Sequence, residues 1–422
     1  MGVKVAIVGA GSTYTPELVE GFIRRADRFP VDELALLDVD LSRLEVVGGL
    51  ARRMLDRAGF GGRTVLTDDR DEAIDGAAFV IVQLRVGGQA ARLLDETIPP
   101  RFGCIGQETT GAGGFAKALR TVPVVLELAE LASRRGAPGC WFVDFTNPTG
   151  LVTQALLDRD VRAVGLCNVA IGFQRRFAER FGVEPERVEL EHVGLNHLSW
   201  VRAVKVDGVD RLPELIQTDL EGLSADAEIS PELMRALEAV PSYYLRYYYR
   251  TREMLERQAG GTTRAEEVMR IERDLLELYR DPGLAEKPPL LERRGGAFYS
   301  EAAAQLVASL ASGTGDAQVV NVRNTGAIPN LADDDVVEVA ARIDAGGAHP
   351  IPVAPLDQDM LALVQHAKAY ERLTIQAAVT GDRSLALRAL LANPLGPDAD
   401  AATGLLDAIL DASREYLPRF AR

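Results

Sequence analysis

The opening of the chain constrains its fold more than any other segment. Val3-Lys4-Val5-Ala6-Ile7-Val8 is an apolar run of strand length, Gly9-Ala10-Gly11-Ser12 follows at once, and a helical pattern starts at about Pro16. Strand, glycine turn and helix in that order form the first half of a βαβ unit. Glu33 to Asp38 reads as the next strand and ends on an acid. Further strands are expected at 64–67, 79–83, 140–145 and 161–166, with helices at about 41–58, 70–75 and 122–133. The alternation predicts an α/β fold, a Rossmann-type doubly wound parallel sheet. Position 14 is Tyr, so the third glycine of a G-x-G-x-x-G fingerprint is missing. Context carries the assignment instead: Gly9, Gly11 and Ser12 bring backbone amides to a pyrophosphate at a helix N-terminus, and Asp38 stands where a ribose-binding acid belongs.

A chain of 422 residues exceeds what one hydrophobic core usually serves. Past residue 200 the pattern changes. Short strands at 201–206 and 319–322 alternate with helices, among them one from Thr263 to Tyr279 whose Thr263 and Glu266 have capping-box spacing. Leu356, Met360, Leu363, Val364, Ala367 and Tyr370 share one helix face, and the last stretch is helical too. Residues 1–168 are therefore expected to form an NAD-binding domain, and 169–422 a second, mixed and mostly helical domain completing the site. A formal net charge of -15 disfavours nucleic acid and anionic membranes as partners. Three cysteines build no disulfide framework, which suits a reducing cytoplasm, and no apolar run is long enough to span a bilayer.

Cys167 closes the apolar run 161–166, and His197 sits in Gly194-Leu195-Asn196-His197. One thiolate and one imidazole cannot close a structural zinc site, but as a metal-binding pair they leave positions open for substrate and water. Taken alone, such a pair reads first as a buried small hydrophobe and a hydrogen-bonded ring, and it is the surrounding motifs that favour the metal. Asn147-Pro148-Thr149-Gly150 ends a strand on the side where ligands bind, and Arg85 and Arg92 flank Gly87-Gly88 after another strand. Gly111-Ala112-Gly113-Gly114 reads as a loop near the site. Five of the 10 tyrosines fall between 243 and 249, and on a helix Tyr244 shares a face with Tyr247 and Tyr248.

These motifs together resemble the NAD- and metal-dependent family-4 glycoside hydrolases. The likeness runs through Gly9-Ala10-Gly11-Ser12-Thr13, Gln107-Glu108-Thr109-Thr110-Gly111, Asn147-Pro148-Thr149, Gly165-Leu166-Cys167-Asn168, Gly194-Leu195-Asn196-His197, Tyr244-Leu245-Arg246-Tyr247-Tyr248, Arg294-Gly295-Gly296 and Asn324-Thr325-Gly326-Ala327-Ile328-Pro329-Asn330. The 6-phospho-β-glucosidases are the branch it is most similar to. There Asn-Val-Pro follows the ligand cysteine, and here Asn168-Val169-Ala170 does; the phospho-α-glucoside branch carries Asp at the position of Asn168. The resemblance implies C3 oxidation by NAD, C2 deprotonation and elimination. It extends the cofactor loop to Thr13, and implies Cys167 and His197 as ligands of a divalent metal, expected to be Mn2+. It further implies Tyr244 as the base, with Tyr243 and Tyr247 as alternatives, and Arg92, Asn147 and Arg294 as holders of a phosphorylated glycoside. A homodimer or homotetramer is the expected assembly. Two other readings share parts of the pattern. A lactate- or malate-type NAD-dependent dehydrogenase shares the Rossmann start and the Asn-Pro turn, and a non-catalytic NAD-bound sensor shares the fold.

Overall fold

The computed structural model describes residues 2–295 and 299–421. Six parallel strands form its centre: β1 (Lys4–Val8), β2 (Glu33–Leu37), β3 (Arg63–Thr67), β4 (Phe79–Val82), β5 (Trp141–Asp144) and β6 (Ala163–Gly165). Their order, β6-β5-β4-β1-β2-β3, is the doubly wound one. Residues alternate between two cores because side chains of a strand point to opposite faces. Val5, Ile7, Leu34 and Leu36 pack on one side of the sheet, and Ala6, Val8, Ala35 and Leu37 on the other.

Beyond residue 168 a second sheet is antiparallel. It comprises β7 (Val188–Leu195), β8 (Leu198–Val206), β9 (Val209–Asp210) and β10 (Val240–Pro241). The chain then returns to the first sheet. β11 (Asp316–Arg323) pairs antiparallel with β6 at Asn321 and Gly165, and β12 (Val336–Asp344) and β13 (Gly347–Pro350) follow outward. The central sheet thus has nine strands. The long helix Gln358–Thr380 lays Tyr370, Ile375, Ala377 and Ala378 into the same core as Phe115, Leu119 and Val122.

One expectation is corrected here. Gly111–Gly114 is not a loop but the first turn of the helix Gly111–Arg135, which begins earlier than residue 122. The glycines answer close packing, not flexibility. A Cβ on Gly113 would lie 2.2 Å from the Gln107 carbonyl oxygen, and one on Gly114 would lie 2.7 Å from that of Thr109. Gly296 of the Arg-Gly-Gly motif lies outside the described residues. No helix among the described residues is long and apolar enough to cross a membrane.

Candidate active site

The strand order reverses between β1 and β4, and a cleft of about 1940 Å³ opens at their carboxyl ends. At one end it is walled by Gly9, Gly11, Ser12 and Asp38. Gly9 has φ +85°, and a Cβ there would stand 2.9 Å from Leu84 Cα. The Gly9 and Ala10 amides both donate to the Leu37 carbonyl at 2.9 Å, which holds the turn against β2. The Gly11 amide donates to Asp38 Oδ2 at 2.8 Å, so the acid at the end of β2 is seated beside the glycine turn. A bare backbone, a helix start and an adjacent carboxylate fit a dinucleotide. Thr13 faces inward instead. It is fully buried, and its hydroxyl accepts from Arg294 Nε at 2.9 Å and donates to Glu272 Oε1 at 3.3 Å.

The other end belongs to His197 and Tyr244. β7 and β8 are joined by Asn196 and His197, and the register Leu195 to Leu198 leaves His197 at the hairpin tip with φ +62°. Its ring stacks on Tyr244, centroids 3.7 Å apart and planes 12° apart. Burial, with the Lys117 charge adding to it against Glu338 and Glu108, lowers the His197 pKa to about 4. The imidazole is therefore neutral at pH 7, and its buried Nδ1 has no hydrogen-bond partner. Cys167 is buried at the N-terminus of the helix Asn168–Phe181, where the helix dipole favours negative charge. A neutral imidazole with an unpartnered nitrogen and a thiol at a helix start suit a divalent metal of intermediate softness. Among the described residues no group of three or more His, Cys, Asp or Glu is placed to hold a metal. The tyrosines do not share a regular helix: Tyr243–Leu245 is a 3-10 turn leading into the four-residue helix Arg246–Tyr249. Tyr243 lies 4.3 Å from Tyr244 between ring centroids, and burial pushes its hydroxyl up to about 12.

Between the two ends, Arg92, Asn147 and Arg294 line the cleft. Arg92 Nε donates to Glu96 at 2.7 Å, and its NH2 lies 3.4 Å from Glu108. Glu108 also holds Arg85 and, at 2.9 Å, Lys117. Burial opposes the Glu108 charge, but Arg85, Lys117 and Arg92 overcome it and keep the carboxyl well below its usual range. Burial lowers Lys117 to about 8.

A family model described as Family 4 glycosyl hydrolase matches residues 4–183, and its companion, Family 4 glycosyl hydrolase C-terminal domain, matches residues 192–396. The chain belongs to glycoside hydrolase family 4. A probable 6-phospho-beta-glucosidase of Bacillus subtilis is 45% identical, with 99% of this chain and 98% of the relative aligned. The 6-phospho-beta glucosidase of Thermotoga maritima, solved with manganese, NAD+ and glucose-6-phosphate, is 37% identical with a TM-score of 0.91. It covers 98% of this chain and 99% of its own. A lactate dehydrogenase from a deep-sea metagenome library shares the fold alone, at 14% identity and TM-score 0.58 over 90% of this chain and all of its own.

Three buried carboxylates escape the sequence reading: Glu108 and Glu272, which line this family 4 cleft, and Glu338, which lies behind it. Glu108 stands in a quoted motif but was given no role. Glu272 sits on the buried stripe Ala265, Val268, Ile271, Leu275, Tyr279 of its helix, and Glu338 sits in the apolar run of β12. A charge on an apolar face is the signal that could have marked both. Glu338 Oε1 accepts from Asn196 Nδ2 and Asn321 Nδ2, each at 3.1 Å, and its Oε2 lies 3.0 Å from His192 Nε2. Glu338 thereby fastens the hairpin tip that carries His197 to the strand beside β6.

Proposed function

We propose that the chain is a 6-phospho-β-glucosidase that uses NAD+ and a divalent metal, Mn2+ being the preferred ion. The observation that carries this reading is the stacking of Tyr244 on His197 at 3.7 Å, in the same cleft as the glycine turn. Family membership and the named relatives support it. When bound, NAD+ accepts and returns the sugar C3 hydride, and the metal stabilises negative charge developing at C2 and C3.

The chain's own residues do the rest. Gly9, Gly11 and Ser12 offer the dinucleotide a close backbone, and Asp38 takes the ribose. Cys167 and His197 hold the metal. Tyr244, acting as its phenolate, accepts the C2 proton; the C1 substituent leaves by elimination and takes up a proton from solvent, and water then adds at C1 as the proton returns to C2. Arg92, Asn147 and Arg294 hold the phosphorylated sugar, the two arginines by charge-assisted hydrogen bonds. Asn168 after the metal-binding cysteine favours β-linked over α-linked substrates. Residues 1–168 and 169–422 act as two domains around this cleft. The protein works in a reducing cytoplasm as a homodimer or homotetramer.

Aryl 6-phospho-β-glucosides, their α-linked counterparts and unphosphorylated β-glucosides, each with and without NAD+ and Mn2+ in the presence of reductant, test the reading. Only the phosphorylated β-linked set is cleaved, both cofactors are required, and no NADH accumulates. Steady accumulation of NADH on a 2-hydroxy acid points to a dehydrogenase. Absence of any cleavage points to a sensor.

A further inference from the structure

The helix Arg264–Tyr279 lies over the glycine turn from the far region of the chain and grips it at two places. Tyr279 donates its hydroxyl to the Thr13 carbonyl at 2.7 Å. About two turns earlier, the Glu272 carboxylate gathers side chains from four separate segments. Oε2 pairs with Arg43 NH2 at 2.9 Å, and Oε1 accepts from Arg294 NH2 and Gln89 Nε2, each at 3.0 Å, and from the Thr13 hydroxyl at 3.3 Å. Arg43 in turn donates through Nε to the Gly11 carbonyl at 2.6 Å. Arg294 donates through Nε to the Thr13 hydroxyl at 2.9 Å. The backbone that approaches the pyrophosphate and the arginine that faces the sugar phosphate are therefore two arms of one hydrogen-bonded unit. Its centre is 5% exposed.

We infer that Glu272 is a positioning residue that locks the glycine turn and Arg294 together, so that dinucleotide and sugar phosphate bind with positive coupling. Ordering the turn around NAD+ fixes Thr13, and Thr13 with Glu272 fixes the Arg294 guanidinium before the sugar arrives. The second ligand then finds its arginine already oriented. A carboxylate that merely competed for Arg294 would act in the opposite sense, because its removal would free the cation and tighten anion binding. The inference rests on the proposed function only in assigning Arg294 to the sugar phosphate.

Calorimetry on the full chain decides it, with NAD+ and glucose 6-phosphate titrated separately and then glucose 6-phosphate at saturating NAD+. For the wild type, NAD+ raises the affinity for glucose 6-phosphate about tenfold, within the usual span of couplings. Glu272→Gln keeps the shape, removes the charge and lowers both affinities, and the coupling falls below about twofold. Thr13→Val cuts the path through the Thr13 hydroxyl, leaves every charge paired and the path through Arg43 and Glu272 in place, and lowers the coupling to about threefold. If Glu272→Gln does not fold, Thr13→Val decides by the same measure. Coupling undiminished in folded variants overturns the inference, as does independent binding in the wild type or tighter glucose 6-phosphate binding by Glu272→Gln. Should the wild type bind NAD+ but no glucose 6-phosphate, the substrate assignment has failed instead. The NAD+ affinity of Glu272→Gln then judges the positioning role, for which a loss of about fivefold or more counts and an unchanged value refutes.

Discussion

At the cofactor end of the cleft, Gly9, Gly11 and Asp38 come from one βαβ unit and present mostly backbone. At the proposed metal end, Cys167, His197 and Tyr244 come from a helix start, a hairpin tip and a 3-10 turn, and present only side chains. The first end is made by local chain geometry and needs few partners. The second exists only because β7, β8 and β12 pack together and Glu338 ties the hairpin tip in place. A change at the metal end should therefore remove chemistry, whereas a change at the cofactor end should cost binding and stability by graded amounts.

The largest effect belongs to Cys167→Ser. On the proposed ligand assignment a hard hydroxyl would replace a soft sulfur, and loss of the metal would remove several kcal/mol of charge stabilisation, about a thousandfold or more in rate. Burial pushes the Cys104 and Cys140 thiols up to about 11, so neither is poised as a thiolate, and serine at either position should leave activity and Mn2+ affinity close to wild type. Mn2+ binding followed by electron paramagnetic resonance separates the three variants. Equal losses in all of them would mean packing damage and dissolve the contrast between the two ends.

Tyr244→Phe comes next. It deletes one oxygen and keeps the ring stacked on His197, so NAD+ and metal binding persist while hydrolysis falls by about 10²–10⁴-fold. Exchange of the substrate C2 hydrogen with deuterated solvent falls with it, because both need the same proton removal. Loss of both in Tyr243→Phe or Tyr247→Phe, with Tyr244→Phe unaffected, would move the base within the cluster. Burial, the first cause of the high value for Tyr243, makes that tyrosine the less expected base of the two alternatives.

The same contrast explains what was legible in the sequence. β1 to β6 are buried runs bounded by turns, and the glycine turn lies between two of them, so local pattern suffices to read the cofactor end. The strand at 319–322 is visible too, but not its return to β6, since pairing across so long a stretch of chain leaves no local mark. Gly111–Gly114 misleads for a related reason: a glycine admits both a flexible loop and a tight approach, and only the neighbouring Gln107 carbonyl decides between them. Cys167 and His197 stand out by rarity in a chain with 3 Cys and 4 His, and their motifs supply the pairing. Glu272 and Glu338 stay hidden because their meaning lies in partners scattered along the sequence.

Acid should expose the metal end as the strained one. The ordinary histidine value is 6.5, and burial first of all lowers that of His197 to about 4. Between those limits the unfolded chain binds the proton that the folded one refuses. Stability from this group is therefore complete above pH 6.5 and falls as pH drops toward 4, by about 3 kcal/mol in the metal-free protein. Denaturation of apo wild type and apo His197→Gln across that range should show the extra decline in the wild type only. Parallel curves would place His197 in a wetter setting than its burial indicates.

The smallest effect tests the cofactor end by rescue. A Cβ on Gly11 would stand 2.8 Å from the Asp38 carboxylate, both from its carbon and from Oδ2. The obstacle is a side chain and not backbone, so Gly11→Ala should cost about 1–3 kcal/mol in overpacking and weaken NAD+ as the displaced acid leaves the ribose. Asp38→Ala opens the space. Added to Gly11→Ala it should restore most of the lost stability, a non-additivity expected only for residues in contact. NAD+ affinity should stay low in the double variant, because the ribose partner is gone. Stability and cofactor binding thus part company at this end, whereas ligand and function fail together at the other. If the double variant is no more stable than Gly11→Ala alone, the added methyl meets backbone instead, and the picture of Asp38 seated directly against the glycine turn is wrong.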